Sequence, residues 1–165
     1  MSFQFETIES TILPKELKCW IDQQFVGHNL MTHPGFDDQE NRFIIHEVFR
    51  SRSNDDHSDN EGHRDRVGCI VSQMVFHQLH IKYLVVDASI RRSGLGRSLL
   101  ALTEESGRRQ GCDFAYVETY SYQGPDFYQK CGYSIDFARE GFYALKKEEK
   151  FSYIYLSKKL NLEKI

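Results

Sequence analysis

The sequence predicts an α/β fold of the mixed α+β kind: one central mixed β-sheet with helices on both faces. Three observations carry this. Short apolar runs, rich in β-branched and aromatic residues, recur at 42–50, 67–76, 79–86, 113–119, 132–138 and 151–157. Between them lie stretches whose apolar residues recur at helical spacing, over 14–31 and after Gly94. The order is β-α-β, a hairpin, then β-α-β-α-β-β, which suits a single sheet flanked by helices.

Each element has its own signal. Residues 3–8 (FQFETI) alternate loosely and read as a first strand. Pro14 sits where a helix can begin, and Leu17, Trp20, Ile21 and Phe25 follow at helical spacing, which predicts a helix over 14–31. Residues 42–50 (RFIIHEVFR) read as a strand. Residues 51–66 (SRSNDDHSDNEGHRDR) hold no large apolar residue and read as an exposed, mobile loop. His57 and His63 within it match no metal-ligand spacing. Residues 67–76 and 79–86 read as a β-hairpin turning at His77-Gln78. Leu95, Leu99 and Leu102 then mark a helix that ends on Arg108, Arg109 and Gly111. Strand 113–119 follows. Pro125-Asp126 opens a short helix, and Lys130 and Gly132 close it.

Composition bounds the function. A chain of 165 residues with 40% hydrophobic and 27% charged residues reads as one soluble globular domain, 1–165. A net charge of −3 lacks the basic footprint of a nucleic-acid binder. The four cysteines form no C-x-x-C pair, which argues for reduced, packed thiols and against a metal site. With no signal-peptide pattern and no long apolar run, the expectation is a cytoplasmic protein that does not enter a membrane.

The most informative stretch is Arg91-Arg92-Ser93-Gly94-Leu95-Gly96, set between an apolar strand and an amphipathic helix. The first N–H groups of a helix have no intrahelical partner and sit at the positive end of its dipole. Glycines let a phosphate approach that backbone closely, and arginines add charge-assisted contacts. A P-loop would need Gly-Lys-Ser/Thr, and a Rossmann turn would need a third glycine where Leu99 stands.

Here the chain resembles the GNAT superfamily of N-acetyltransferases, whose signature Arg/Gln-x-x-Gly-x-Gly/Ala stands as Arg91–Gly96. A second piece, GPDFYQKCGY (124–133), resembles the family's Phe-Tyr-x-x-x-Gly-Phe/Tyr segment. The resemblance is clear over 67–138 and implies two splayed central strands, ending near Val86 and Thr119, with acetyl-CoA as donor. It places the pyrophosphate on the backbone of Arg91, Arg92, Ser93, Gly94, Leu95, Gly96, Arg97 and Ser98. Leu84, Val85 and Val86 would offer backbone groups to the pantetheine, with Val86 as the oxyanion-like contact. Phe127 and Tyr128 would stand beside the thioester, Tyr128 as general acid to the departing thiolate. Ser121 occupies the place of the family's pantetheine-binding Asn, flanked by Tyr120 and Tyr122, candidates for the acceptor side.

An amine acceptor must also lose a proton. His80, eleven residues before Arg91, is the first candidate base; Glu118 is its rival and His46 stands behind both. The expected acceptor is a small-molecule or peptide amine, with no nucleic acid, membrane or metal involved. Family members are often dimers, but the sequence carries no interface signal. The alternative is a non-catalytic acyl-CoA-binding sensor or interaction module.

Overall fold

The computed structural model describes residues 14–32, 42–50, 65–143 and 150–160. The expected strand 3–8 and nearly all of the loop 51–66 lie outside them. The chain divides into two compact units, Met1–Gln39 and Glu40–Ile165. The first is represented by α1 (Lys15–Thr32), which starts one residue later than expected because Pro14 stands outside it and accepts the first intrahelical bond, from the Lys18 N–H.

The second unit holds β1 (Arg42–Phe49), β2 (Arg66–Val75), β3 (Gln78–Val86), α2 (Leu95–Arg109), β4 (Phe114–Tyr120), α3 (Pro125–Lys130), β5 (Ser134–Tyr143) and β6 (Lys150–Lys159). The strands form one six-stranded sheet in the order β1-β2-β3-β4-β6-β5. Among the described strands only the β3–β4 pair is parallel, so the mixed sheet read from the sequence is what the chain builds. Several boundaries differ. Arg66, read as loop, opens β2, where it pairs opposite Phe49 and forms an ion pair of 2.6 Å with Glu47. The hairpin turns at Phe76-His77 rather than His77-Gln78, both residues taking positive φ. The last two strands run longer than read, through Tyr143 and Lys159, because they pair along most of their length.

Alternation puts Leu79 and Ile81 of β3, Ala115 and Val117 of β4, and Ile154 and Leu156 of β6 into the core. α2 covers this face with Leu99, Leu100, Thr103, Glu104 and Gly107. Leu102, read as part of its apolar stripe, is instead exposed. Gly107 fixes that rotation: a Cβ there would stand 2.9 Å from Leu79, so the helix rides close over β3.

The feature that matters for function is where the sheet comes apart. β3 and β4 pair only from Gln78↔Phe114 to Ile81↔Val117. Beyond that rung β3 stays on β2 as far as Val86, and β4 stays on β6 as far as Tyr120. The register of β2 against β3 skips Lys82, immediately after the last shared rung. A bulge bends its strand and raises the local twist, which turns β3 away from β4. The expected splay of two central strands is therefore present, with a physical cause.

Candidate active site

The mouth of the gap is built by the turn into α2. Asp87 caps a short 3-10 turn, Ala88–Ile90, by accepting from the Ser89 N–H. The backbone then alternates hand: Arg92 has φ 66° and Gly94 φ 89°. Such alternation curls successive N–H groups toward one point and makes an anion-binding concavity. A left-handed arginine is uncommon, and a strained residue of this kind signals a functional turn. Helix α2 begins with no side-chain cap from Gly94 and no acid in its first turn. Ser93 Oγ accepts from the Leu95 N–H at a long 3.4 Å. The first-turn N–H groups of Gly96 and Arg97 have no intrahelical acceptor. Ser98 does: its N–H donates to the Gly94 carbonyl at 3.0 Å, so the expected cradle ends at Arg97.

Behind this turn lies a cleft of about 850 Å³. Its walls are Leu84, Val85 and Val86 from β3, Ile90 through Arg97 apart from Ser93, and Gln123, Gly124, Phe127 and Tyr128. The Asp87 N–H bonds back to the Val67 carbonyl on β2 at 2.8 Å. Backbone groups of successive strand residues point to opposite edges, so those of Val86 face the side that β4 has left. The Val86 carbonyl there accepts from Arg91 Nε at 3.2 Å. Gly96 lies between the walls: a Cβ would meet Phe127 at 3.5 Å and Val86 at 3.6 Å.

Tyr128 enters the cleft from α3, which starts at Pro125 directly after left-handed Gly124. Its ring packs edge-on against Phe127 and Tyr133, at 5.1 and 5.7 Å. Burial, with a smaller contribution from Cys131, pushes its phenol up to about 12. It therefore keeps its proton at neutral pH, as a proton donor must.

The two candidate bases come together but do not line this cleft. His80 Nε2 stands 3.6 Å from Glu118 Oε2, with the imidazole 12% and the carboxylate 44% exposed. That separation is too long for a hydrogen bond. His80 stacks on Tyr116, its partner across the parallel pair, at 4.3 Å. Burial first, then Lys82, lower the His80 pKa, and Glu118 opposes them. The imidazole is thus neutral and able to accept a proton at pH 7. Glu118 is the first residue of β4 beyond the last rung shared with β3. By alternation both groups lie on the sheet face away from α2, at the apex of the split. His46 is elsewhere: its Nε2 meets Ser106 Oγ of α2 at 3.3 Å.

Ser121 lies apart from the cleft. Its Oγ accepts from the Ser152 N–H at 3.1 Å and its N–H donates to the Ser152 carbonyl, which seals the end of β4 to β6. The sequence reading missed Gln123, whose Oε1 accepts from the Tyr120 N–H at 3.1 Å and from Thr119 Oγ1 at 3.3 Å. Its place directly before Gly-Pro, at the mouth of α3, was the available signal.

Comparisons with known proteins agree with this geometry. Residues 58–135 match the acetyltransferase (GNAT) domain. The chain is 41% identical over 69 residues to blasticidin-S acetyltransferase of Streptomyces morookaense, covering 41% of this chain and 51% of that protein. The chain thus spans about half the length of the curated relatives it matches. In fold it is similar to an acetyltransferase from Bacillus cereus ATCC 14579, with TM-score 0.65, 22% identity, and 93% and 97% of the two chains covered. A structure from Bacillus anthracis str. Ames, solved with acetyl coenzyme A, superposes with TM-score 0.51 at 24% identity over 59% of this chain and 57% of that one.

Proposed function

We propose that this chain, which has the GNAT fold and matches the GNAT acetyltransferase domain over residues 58–135, is an acetyl-CoA-dependent N-acetyltransferase that acetylates a primary amine by direct attack in a ternary complex. The observation that carries this is the N-terminus of α2, where Gly94 gives no side-chain cap, flanked by Arg91, Arg92 and Arg97 and opening onto the gap where β3 and β4 part. The cleft has the chemistry of the donor: cationic and rich in N–H groups at one end, apolar along Leu84, Val86 and Phe127.

On this proposal residues 1–165 act as one acetyltransferase domain. The N–H groups from Arg91 to Arg97 hold the pyrophosphate. Leu84, Val85 and Val86 align the pantetheine in place of β4, and the free Val86 N–H is offered to the acetyl oxygen. His80 or Glu118, directly or through water, takes the proton from the attacking amine. The N–C bond forms and the C–S bond breaks. Tyr128 gives its proton to the departing thiolate. The family relatives' chemistry supports a small-molecule amine as acceptor, since one of them is named for acetylating blasticidin S.

Release of free CoA from acetyl-CoA, measured across a panel of primary amines, tests the proposal. Amine-dependent release is expected, and it should fall in the Tyr128→Phe variant. Micromolar binding of acetyl-CoA with no release on any amine would make the chain a non-catalytic acyl-CoA module instead.

A further inference from the structure

The sheet face away from α2 carries a chain of aromatic rings that the donor cleft does not use. Tyr120, at the end of β4, stacks parallel to Tyr122 with centroids 5.7 Å apart. Phe151 of β6 meets both edge-on, at 5.2 and 5.5 Å, and Phe142 of β5 lies 5.8 Å from Phe151. Tyr153 continues the floor inward, 6.0 Å from Tyr120. Burial first, then the nearby Glu118 carboxylate, push its phenol up to about 12. The floor therefore runs without a break from Tyr122, which is 68% exposed, to Glu118 at the apex of the split.

We infer that this floor is the acceptor's seat and that it selects a primary amine whose body is a planar cation, such as an amidinium- or guanidinium-bearing ring. The inference rests on the transferase reading for which amine reacts, but the binding site stands on its own geometry. Ring faces carry negative quadrupole potential and attract cations, best when the cation is flat and can stack. Glu118 supplies a half-exposed carboxylate at the inner end, beside the candidate base His80. Arg139 stands opposite Tyr153 on the edge strand β5 and Lys82 bears on His80, so both signs of charge border the floor, and the ring faces together with Glu118 supply the preference for a planar cation. An anion on the acceptor's body would meet Glu118 with like charge. A solvent-facing tyrosine stacked in parallel on a second one, in a turn beside the split, offers a flat exposed surface.

The test uses two probes that share a benzylic primary amine and a ring: 4-(aminomethyl)benzamidine, a planar cation, and 4-(aminomethyl)benzoate, its anionic counterpart. Affinities are measured calorimetrically with CoA present, so that binding is read without turnover. The wild-type chain is expected to bind the benzamidine about tenfold or more tightly than the benzoate. Tyr122→Ala should weaken the benzamidine about fivefold or more, the scale of a cation–π contact, and leave acetyl-CoA affinity unchanged. Tyr122→Phe should restore most of the loss, which a purely structural role of the hydroxyl would not do. Equal binding of the two probes, or an unchanged benzamidine affinity in Tyr122→Ala, overturns the inference. Selective binding of the benzamidine, with no CoA release from acetyl-CoA on it or on any amine of the panel, would overturn the transferase reading and uphold the cation seat.

Discussion

Replacing Lys158 with methionine should destabilise the fold by a calculable amount. Glu104, on α2, is a buried carboxylate, its side chain 4% exposed. Lys158 Nζ of β6 stands 2.7 Å from its Oε2 and donates a second bond, 3.0 Å, to the Cys131 carbonyl at the end of α3. Arg108 approaches the same oxygen at 3.5 Å, while Glu104 Oε1 has no partner within hydrogen-bonding distance. Removing one partner of a buried pair costs about 3–5 kcal/mol, because the other charge stays behind. Lys158 is 26% exposed and Arg108 remains as a second cation, so the expected loss lies below that, at about 2–3 kcal/mol. For a chain of this size each kcal/mol moves Tm by about 2–4 °C, giving a fall of about 4–12 °C by calorimetry. The double variant Glu104→Gln, Lys158→Met removes the stranded charge and should be more stable than Lys158→Met alone. Acetyl-CoA affinity should fall with the single variant, since Lys158 anchors the end of the helix that carries Phe127 and Tyr128. A loss under about 0.5 kcal/mol, the range of an ordinary surface substitution, or a double variant worse than the single one, would refute the reasoning.

The remaining predictions concern the cleft. Gly94→Asp and Gly96→Asp should each abolish acetyl-CoA binding in titration calorimetry, by setting a carboxylate against the N–H groups meant for the pyrophosphate. Gly96→Ala should keep binding, because its methyl would only reach ordinary contact with Phe127 and Val86, at 3.5 and 3.6 Å. Tyr128→Phe should lower kcat about 10²-fold in steady-state kinetics if its phenol protonates the thiolate, and a loss under about threefold would leave it a packing residue. If His80 is the base, kcat/KM should fall as pH drops through a value below the ordinary 6.5, because burial lowers its pKa, and His80→Gln should remove that limb of the profile. The same shift has a stability sign. The unfolded chain binds this proton more tightly than the folded one, so acid below about 6.5 should cost stability, and urea unfolding across pH checks it.

Local signals were legible in the sequence and register was not. The Arg91–Gly96 turn, the helix that follows it and the Pro125 start of α3 all depend on neighbours a few residues away, and the chain builds them where they were read. Leu102 failed because helix phase was taken from leucines alone; the close approach of Gly107 to Leu79 sets the phase instead. Arg66 failed because its strand conformation depends on Phe49 and Glu47, seventeen or more residues earlier. Ser121 stands in the place of an asparagine by analogy; its hydroxyl accepts from the Ser152 N–H of β6, a partner the sequence could not show because it appears only when β6 inserts between β4 and β5.

The gap itself shows why the rest could not be read. Its existence depends on one unpaired residue, Lys82, falling immediately past the Ile81↔Val117 rung. Nothing about lysine in an apolar strand announces a bulge. Yet the bulge decides that Val86 keeps its backbone facing an opening, and that Glu118 stands at the edge of that opening instead of inside a continuous ladder. A helix N-terminus binds phosphate on many folds. Here it borders a deep cleft because the sheet behind it opens, and the opening comes from a pairing defect between strands. If the register of β2 on β3 were moved so that Lys82 paired, β3 could follow β4 beyond Val117. The arginines and glycines of the turn would then still attract an anion, but the cleft behind them would close.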